Sequence, residues 1–277
     1  MNYIFINDAI VSDSNPVIHA NDRGFLLGDG LFETIKATNG QLLFFAEHYT
    51  RLQTSATVLD IPLRYDLAVL ENQCQQLLVQ NKLQNKTAAI RITLTRGVGQ
   101  RGISILASAL PTLLISAQAY DDAPRKAIRM MVTNIKRNEY SPLTQLKTTN
   151  YLESIMTRKV AQERGFDEGL MLNTKGMITE SSIANVFFII DDTLITPPIS
   201  DGVLPGIMRQ RILEYCVANS IACEERSVLP NELSQVTAAF QTNSLIGIQP
   251  IRCVDDYELL ETTNNSIMQV LSVVTLL

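Results

Sequence analysis

Lys147 lies in the stretch TQLKTTNYLES, where the nearest acidic residue is Glu153. A lysine on a helix surface usually has charged neighbours three or four residues away, and this one is followed by the uncharged Thr148, Thr149 and Asn150. An exposed loop lysine, or one whose stem lies along apolar surface with its head in water, accounts for the pattern. So does a lysine in a dry setting, where a lowered pKa leaves a free amine able to condense with a carbonyl. Further on, Glu180 stands in GMITESSIANVFFI, between a strand-like segment and the apolar run of residues 186–190. Alone, it reads as a cap as readily as a functional carboxylate.

Other groups narrow the chemistry. GVGQRG, residues 97–102, matches the glycine spacing of a dinucleotide-binding turn, but only a very short segment precedes Pro111. It also follows a late strand, so a glycine-rich loop carrying Arg96 and Arg101 describes it better. Two histidines, His19 and His48, are too few for a histidine-based metal centre. Cys74, Cys216, Cys223 and Cys253 lack C-x-x-C spacing and read as small buried residues of a reducing compartment. No metal is expected.

The elements that must position these residues suit a 277-residue chain with 46% hydrophobic and 18% charged residues. Such a chain makes one large domain or two modest ones. A net charge of -5 with no basic run argues against a nucleic-acid partner. Without a signal-peptide layout or an 18-residue apolar run, the expectation is a soluble cytoplasmic protein with no membrane partner. YIFINDAIV reads as a hairpin through Asn7-Asp8, and LFETIKATNGQLLFF as a hairpin through Asn39-Gly40. Helical spacing covers residues 47–59 and 66–83, and TAAIRITLTR and PTLLISAQAY read as buried strands. DDAPRKA, residues 121–127, is the linker candidate. A second series follows: the strand IRMMVTNI, a helix over about 150–164, the strands of EGLMLNTKGMITE, a hairpin through Asp191-Asp192 and a helix over about 207–219. Further strands and an amphipathic helix over about 264–276 complete the chain. The expected fold is α/β (α+β), with an N-terminal domain over 1–120 and a C-terminal domain over 128–277.

Taken together, KTTNY and TESSIANVFF resemble the aminotransferase class IV family of pyridoxal 5′-phosphate enzymes. DRGFLLGDGLFETIKATNG, HYTRL, LPGIMRQRIL and TNSLIGIQPI, in that order, extend the resemblance over nearly the whole chain. It implies a two-domain fold-type IV architecture like that of D-amino-acid aminotransferases. It also implies roles: Lys147 joins the cofactor and shuttles protons, Glu180 keeps the pyridine nitrogen protonated, and Tyr151 reaches the ring hydroxyl. Gly206 and Ile207 open a helix suited to the phosphate, with Arg51, Thr242 and Asn243 completing its shell. The alternative for Arg51 is an exposed helix charge. The family's members are homodimers with sites at the subunit interface, so Arg101 is expected to serve the partner's Lys147.

The substrate side separates the subgroups. D-Amino-acid aminotransferases use a tyrosine where Phe32 stands and an arginine-x-histidine pair where this chain has Arg101-Gly102-Ile103. Branched-chain aminotransferases share the lysine motif but differ at the late loop. Aminodeoxychorismate lyases, which make 4-aminobenzoate and pyruvate on the way to folate, resemble GDGLFET, the TRGxGxRG loop and TNSLIGIQPI. There Arg101 and Asn243 contact a small-molecule substrate, and Phe32 lines its site. Ile103 departs from the lyase pattern, which continues Arg-Gly-Tyr. An aminotransferase acting on D- or branched-chain amino acids and a cofactor-binding protein without catalysis are the competing readings.

Overall fold

A computed structural model describes residues 2–14, 18–105, 110–259, 265 and 267–268. The helix expected over 264–276 lies largely outside the described residues. The chain forms two compact units, Met1–Asp122 with Leu146–Asn150, and Ala123–Gln145 with Tyr151–Leu277.

In the first unit β1 (Tyr3–Ile6) and β2 (Ala9–Ser12) form the first hairpin, followed by the short α1 (Arg23–Leu27). Next come β3 (Gly30–Thr38), β4 (Gln41–Leu42), α2 (Phe45–Val58), α3 (Leu67–Gln80), β5 (Thr87–Thr95) and β6 (Thr112–Ala119). The strands pair antiparallel in the order β2-β1-β6-β5-β3-β4. Asn7 and Asn39 adopt φ of 50° and 49° at the two hairpin turns, a conformation asparagine tolerates better than most residues. Alternation along β3 sends Leu31, Ile35 and Ala37 into a core with Leu52, Leu70, Leu77 and Ile90. Each fully buried leucine or isoleucine contributes roughly 1.5–3 kcal/mol. The Asp66 side chain caps α3, accepting from the Val69 N–H at 2.8 Å.

The second unit contains β7 (Ile128–Arg137), α4 (Leu152–Glu163), β8 (Glu168–Asn173), β9 (Ile178–Ser181), β10 (Asn185–Ile190), β11 (Thr193–Thr196) and α5 (Ile207–Ala218). It is completed by β12 (Cys223–Glu225), β13 (Ala238–Asn243), β14 (Gly247–Val254) and β15 (Tyr257–Glu258). The sheet runs β12-β11-β10-β13-β14-β7-β8-β9, with β15 beside β14. It is mixed: β7 pairs parallel with both β14 and β8. Every residue of β10 is buried, so this strand shows a continuous apolar run instead of alternation.

One boundary differs from the expected single division near 121–127. Leu146–Asn150 belongs to the first unit because it hydrogen-bonds to β3. The Phe32 N–H donates to the Lys147 carbonyl and the Thr149 N–H to the Gly30 carbonyl, each at 2.9 Å. The Thr149 and Asn150 side chains donate to the Gly28 carbonyl at 2.8 and 2.9 Å. These bonds and the single bridge between Leu31 and Thr148 tie residues 146–150 to the first unit, and α4 starts only at Leu152.

Candidate active site

In the first unit, Lys147 is half-buried against β3, its Nζ 4.5 Å from the centre of the Phe32 ring. The Arg91 guanidinium, from β5, lies 3.7 Å from the same centre. The ring is 4% exposed at the residue level, and its negative face attracts both cations. Lysine, aromatic wall and second cation thus share one setting. Arg91 was missed in the sequence, where it is one charge within a strand.

Arg51, on α2, donates from Nε and Nη2 to Glu33 at 2.8 and 2.6 Å. His48 Nδ1 lies 2.6 Å from Oε2, the oxygen that also accepts from Arg51 Nη2, and both His48 and Glu33 are 1% exposed. Burial alone raises the Glu33 pKa, but the Arg51 charge and the hydrogen bonds from Arg51 and His48 outweigh it and bring it to about 2. Arg51 is therefore held by a buried carboxylate rather than being an exposed helix charge. The signal was present: alternation in GLFETIKAT puts Glu33 on the apolar face, where a charge requires a partner.

Arg101 is exposed on the glycine-rich loop, and the adjoining Ile103 is 85% exposed. The loop's shape comes from packing. A Cβ on Gly97 would overlap the Leu110 carbonyl, and one on Gly99 would come within 2.6 Å of Arg23 Cδ. Gly102 adopts φ of +105°.

The second unit holds the remaining predicted residues. Glu180, on β9, is buried; its Oε1 pairs with Arg137, and its Oε2 accepts from Asn185 Nδ2 at 3.1 Å and the Leu204 N–H at 3.2 Å. It is a strand residue held by donors, not a cap. Asn185 pairs in register with Thr242 across β10 and β13. A Cβ on Gly206 would overlap Asn185 Oδ1, so only glycine fits there. Asn185 thereby links Glu180, Thr242 and the start of α5, a role its place at the head of an apolar strand did not reveal. Gly206 caps α5 without a side-chain hydrogen bond, and Ile207 is the first helical residue. Tyr151 is the N-cap residue of α4. Asn243 accepts from the Leu245 and Ile246 N–H groups at 3.0 and 2.9 Å and donates to the Ile183 carbonyl at 3.1 Å, so its side chain shapes the turn after β13.

These groups suit a phosphorylated, protonated aromatic cofactor. The first turn of α5 offers amide donors with no intrahelical partner, and its dipole favours an anion. The hydroxyls of Thr242 and Ser182 are buried with no hydrogen-bond partner among the described residues, which suits them to donate to a bound acceptor. A buried carboxylate fixed by Arg137, Asn185 and an amide suits a cationic ring N–H. Among the described residues, no group of three or more His, Cys, Asp or Glu could hold a metal ion. No helix among them is long and apolar enough to cross a membrane.

The chain belongs to the amino-transferase class IV family, whose model matches residues 30–254. This family is pyridoxal-phosphate-dependent. A solved structure of a candidate 4-amino-4-deoxychorismate lyase from Legionella pneumophila is 32% identical, with a TM-score of 0.86 and 94% of each chain covered. A D-alanine aminotransferase of Bacillus licheniformis is 28% identical over 91% of this chain and 88% of its own. An aminodeoxychorismate lyase of Vibrio harveyi is 26% identical over 83% of this chain and 84% of its own. Lyase and transaminase are both represented among the relatives.

Proposed function

We propose that this class IV chain is a homodimeric 4-amino-4-deoxychorismate lyase that forms 4-aminobenzoate and pyruvate. The observation that carries this reading is the Phe32 ring, in contact with both Lys147 Nζ and the Arg91 guanidinium. A planar ring acid has an apolar face to lay against an aromatic wall and carboxylates to meet guanidinium groups. A small D-amino acid has only its carboxylate and amine to be gripped, and the hydroxyl that a tyrosine would offer at position 32 is absent. The likeness to the Legionella protein supports the same choice.

Bound pyridoxal 5′-phosphate supplies an electron sink for the pair released when a substrate C–H bond breaks. Lys147 Nζ is the base that takes the proton from the ring carbon bearing the amine. As the carbon–oxygen bond to enolpyruvate breaks, the ring becomes aromatic, and Lys147 Nζ returns the proton to the enolpyruvate methylene carbon. The Glu180 carboxylate accepts the pyridine N–H and holds its proton there. The Gly206 and Ile207 amides and the Thr242 hydroxyl of the second unit would hold the phosphate, a role proposed for Arg51 as well, and Tyr151 Oη would bond the ring hydroxyl. Arg101 would hold a substrate carboxylate, and Asn243 is proposed to act near cofactor and substrate.

The aminotransferase reading draws on the D-alanine aminotransferase relative. One experiment separates the two. Enzymatically prepared aminodeoxychorismate is supplied and 4-aminobenzoate fluorescence followed, with amino-donor and keto-acid pairs assayed in parallel. Fluorescence without transamination is expected; keto-acid turnover without 4-aminobenzoate would replace the lyase with a transaminase.

A further inference from the structure

Arg23 is 5% exposed at the entrance of α1, and its guanidinium meets three successive carbonyls of the glycine-rich loop. Nη1 donates to Gly102 at 2.9 Å and to Ser104 at 3.2 Å, and Nη2 donates to Ile103 at 3.2 Å. Nε donates to Asp29 at 2.8 Å. The same carboxylate accepts from Arg96 Nε at 2.8 Å and Nη2 at 3.1 Å, while Arg96 also holds the Leu59 and Asp60 carbonyls at 2.8 and 3.0 Å. Burial raises the Asp29 pKa, but the hydrogen bonds and charges of Arg96 and Arg23 lower it overall, so the bridge stays ionised.

We propose that Arg23 is a positioning residue for substrate recognition, fixing the loop backbone on either side of Ile103 and so the presentation of Arg101. This deepens the proposed function and rests on its reading of Arg101. The spacing of GVGQRG follows from it: Gly99 leaves room for the Arg23 stem, and Gly102 supplies a positive φ that lets its carbonyl join the next two on one guanidinium. Arg23 spreads its donors over three nitrogens of a rigid plane, reaching Asp29 and three carbonyls together, a span that lysine's single ammonium does not cover. Removing Arg23 leaves Asp29 still paired with Arg96, so no buried carboxylate is stranded and the unit is expected to fold.

The test compares Arg23→Met, Arg23→Lys, Gly99→Ala and Arg101→Ala in the cofactor-loaded enzyme. Hydrogen exchange at residues 99–105 is expected to quicken in Arg23→Met and Gly99→Ala, with exchange in α3 and β10 unchanged. The KM for aminodeoxychorismate should rise about tenfold to a hundredfold in Arg23→Met, the worth of one or two hydrogen bonds to a charged group, with kcat and cofactor affinity near wild type. Arg23→Lys should recover only part of this. Arg23→Met combined with Gly99→Ala should be no worse than the poorer single variant, because both break one link. If Arg101→Ala raises KM while Arg23→Met leaves exchange and KM at wild type, the role of Arg23 is overturned and the substrate reading stands. If Arg101→Ala leaves KM unchanged, the reading of Arg101 fails, and the role of Arg23 fails with it.

Discussion

Asn185 Nδ2 donates to Glu180 Oε2 at 3.1 Å, and the same amide nitrogen donates to the Leu204 carbonyl at 3.0 Å. One side chain therefore fixes both the carboxylate assigned to the pyridine nitrogen and the chain just before α5. Asn185→Ala removes the Glu180 contact and leaves the Leu204 carbonyl without this donor. Its cofactor affinity should fall about tenfold, the scale of one hydrogen bond to a charged group. Absorbance titration with pyridoxal 5′-phosphate measures this, and unaltered binding would remove Asn185 from the cofactor's support.

Glu180→Gln keeps the shape of the side chain but cannot hold a proton on the pyridine nitrogen by charge. It should fold and bind cofactor while losing most of its turnover, because the electron sink is weakened. Steady-state rates at saturating cofactor decide the matter. Near wild-type turnover would reduce Glu180 to a partner of Arg137 within its unit.

Lys147→Ala should abolish covalent attachment of the cofactor and nearly all turnover, because one amine provides both bond and base. Borohydride treatment of wild type, followed by peptide mapping, should place the cofactor on Lys147. A map that lands on another lysine would end this assignment.

How far the sequence carried depended on the range of the interactions. The hairpins at Asn7-Asp8, Asn39-Gly40 and Asp191-Asp192 were legible because turn chemistry is local; Asp191 and Asp192 adopt φ of 48° and 58°. The assignment of Leu146–Asn150 to the first unit was not legible, since it depends on backbone bonds to Gly30 and Phe32 and side-chain bonds to the Gly28 carbonyl, about 120 positions away. Arg23 stands within DRGFLLGDG, but its carbonyl partners lie 79–81 positions along the chain. Glu33 was readable as buried by alternation, though Arg51 and His48 were not readable as its partners. Lys147 and Glu180 are singled out only by paired motifs, because neither has a local pattern that distinguishes it from a solvated charge; their roles remain proposals.

Glu33 carries a pH signature. Its folded pKa of about 2 lies below the ordinary 4.5, so its ionised form stabilises the fold above pH 4.5, and that stability is lost as pH falls toward 2. The shift is worth about 3 kcal/mol at neutral pH. In urea unfolding, Glu33→Gln should be less stable than wild type at pH 7, and the gap should shrink steadily below pH 4.5. A gap independent of pH would mean that the Arg51 and His48 contacts do not favour the charged carboxylate.

Assembly supplies the last prediction. If the protein is a homodimer in which Arg101 serves the partner's Lys147, Arg101→Ala and Lys147→Ala proteins should each be nearly inactive alone. A two-fold assembly contains two equivalent composite sites. Unfolded and refolded together at equal ratio, about half of the dimers should be mixed, each with one intact site and one carrying both defects. Recovered activity should then approach roughly a quarter of wild type, because one site in four is intact under random pairing. Gel filtration and native mass spectrometry establish whether mixed dimers form. Mixed dimers without recovered activity would place Arg101 at its own chain's site or remove it from substrate binding.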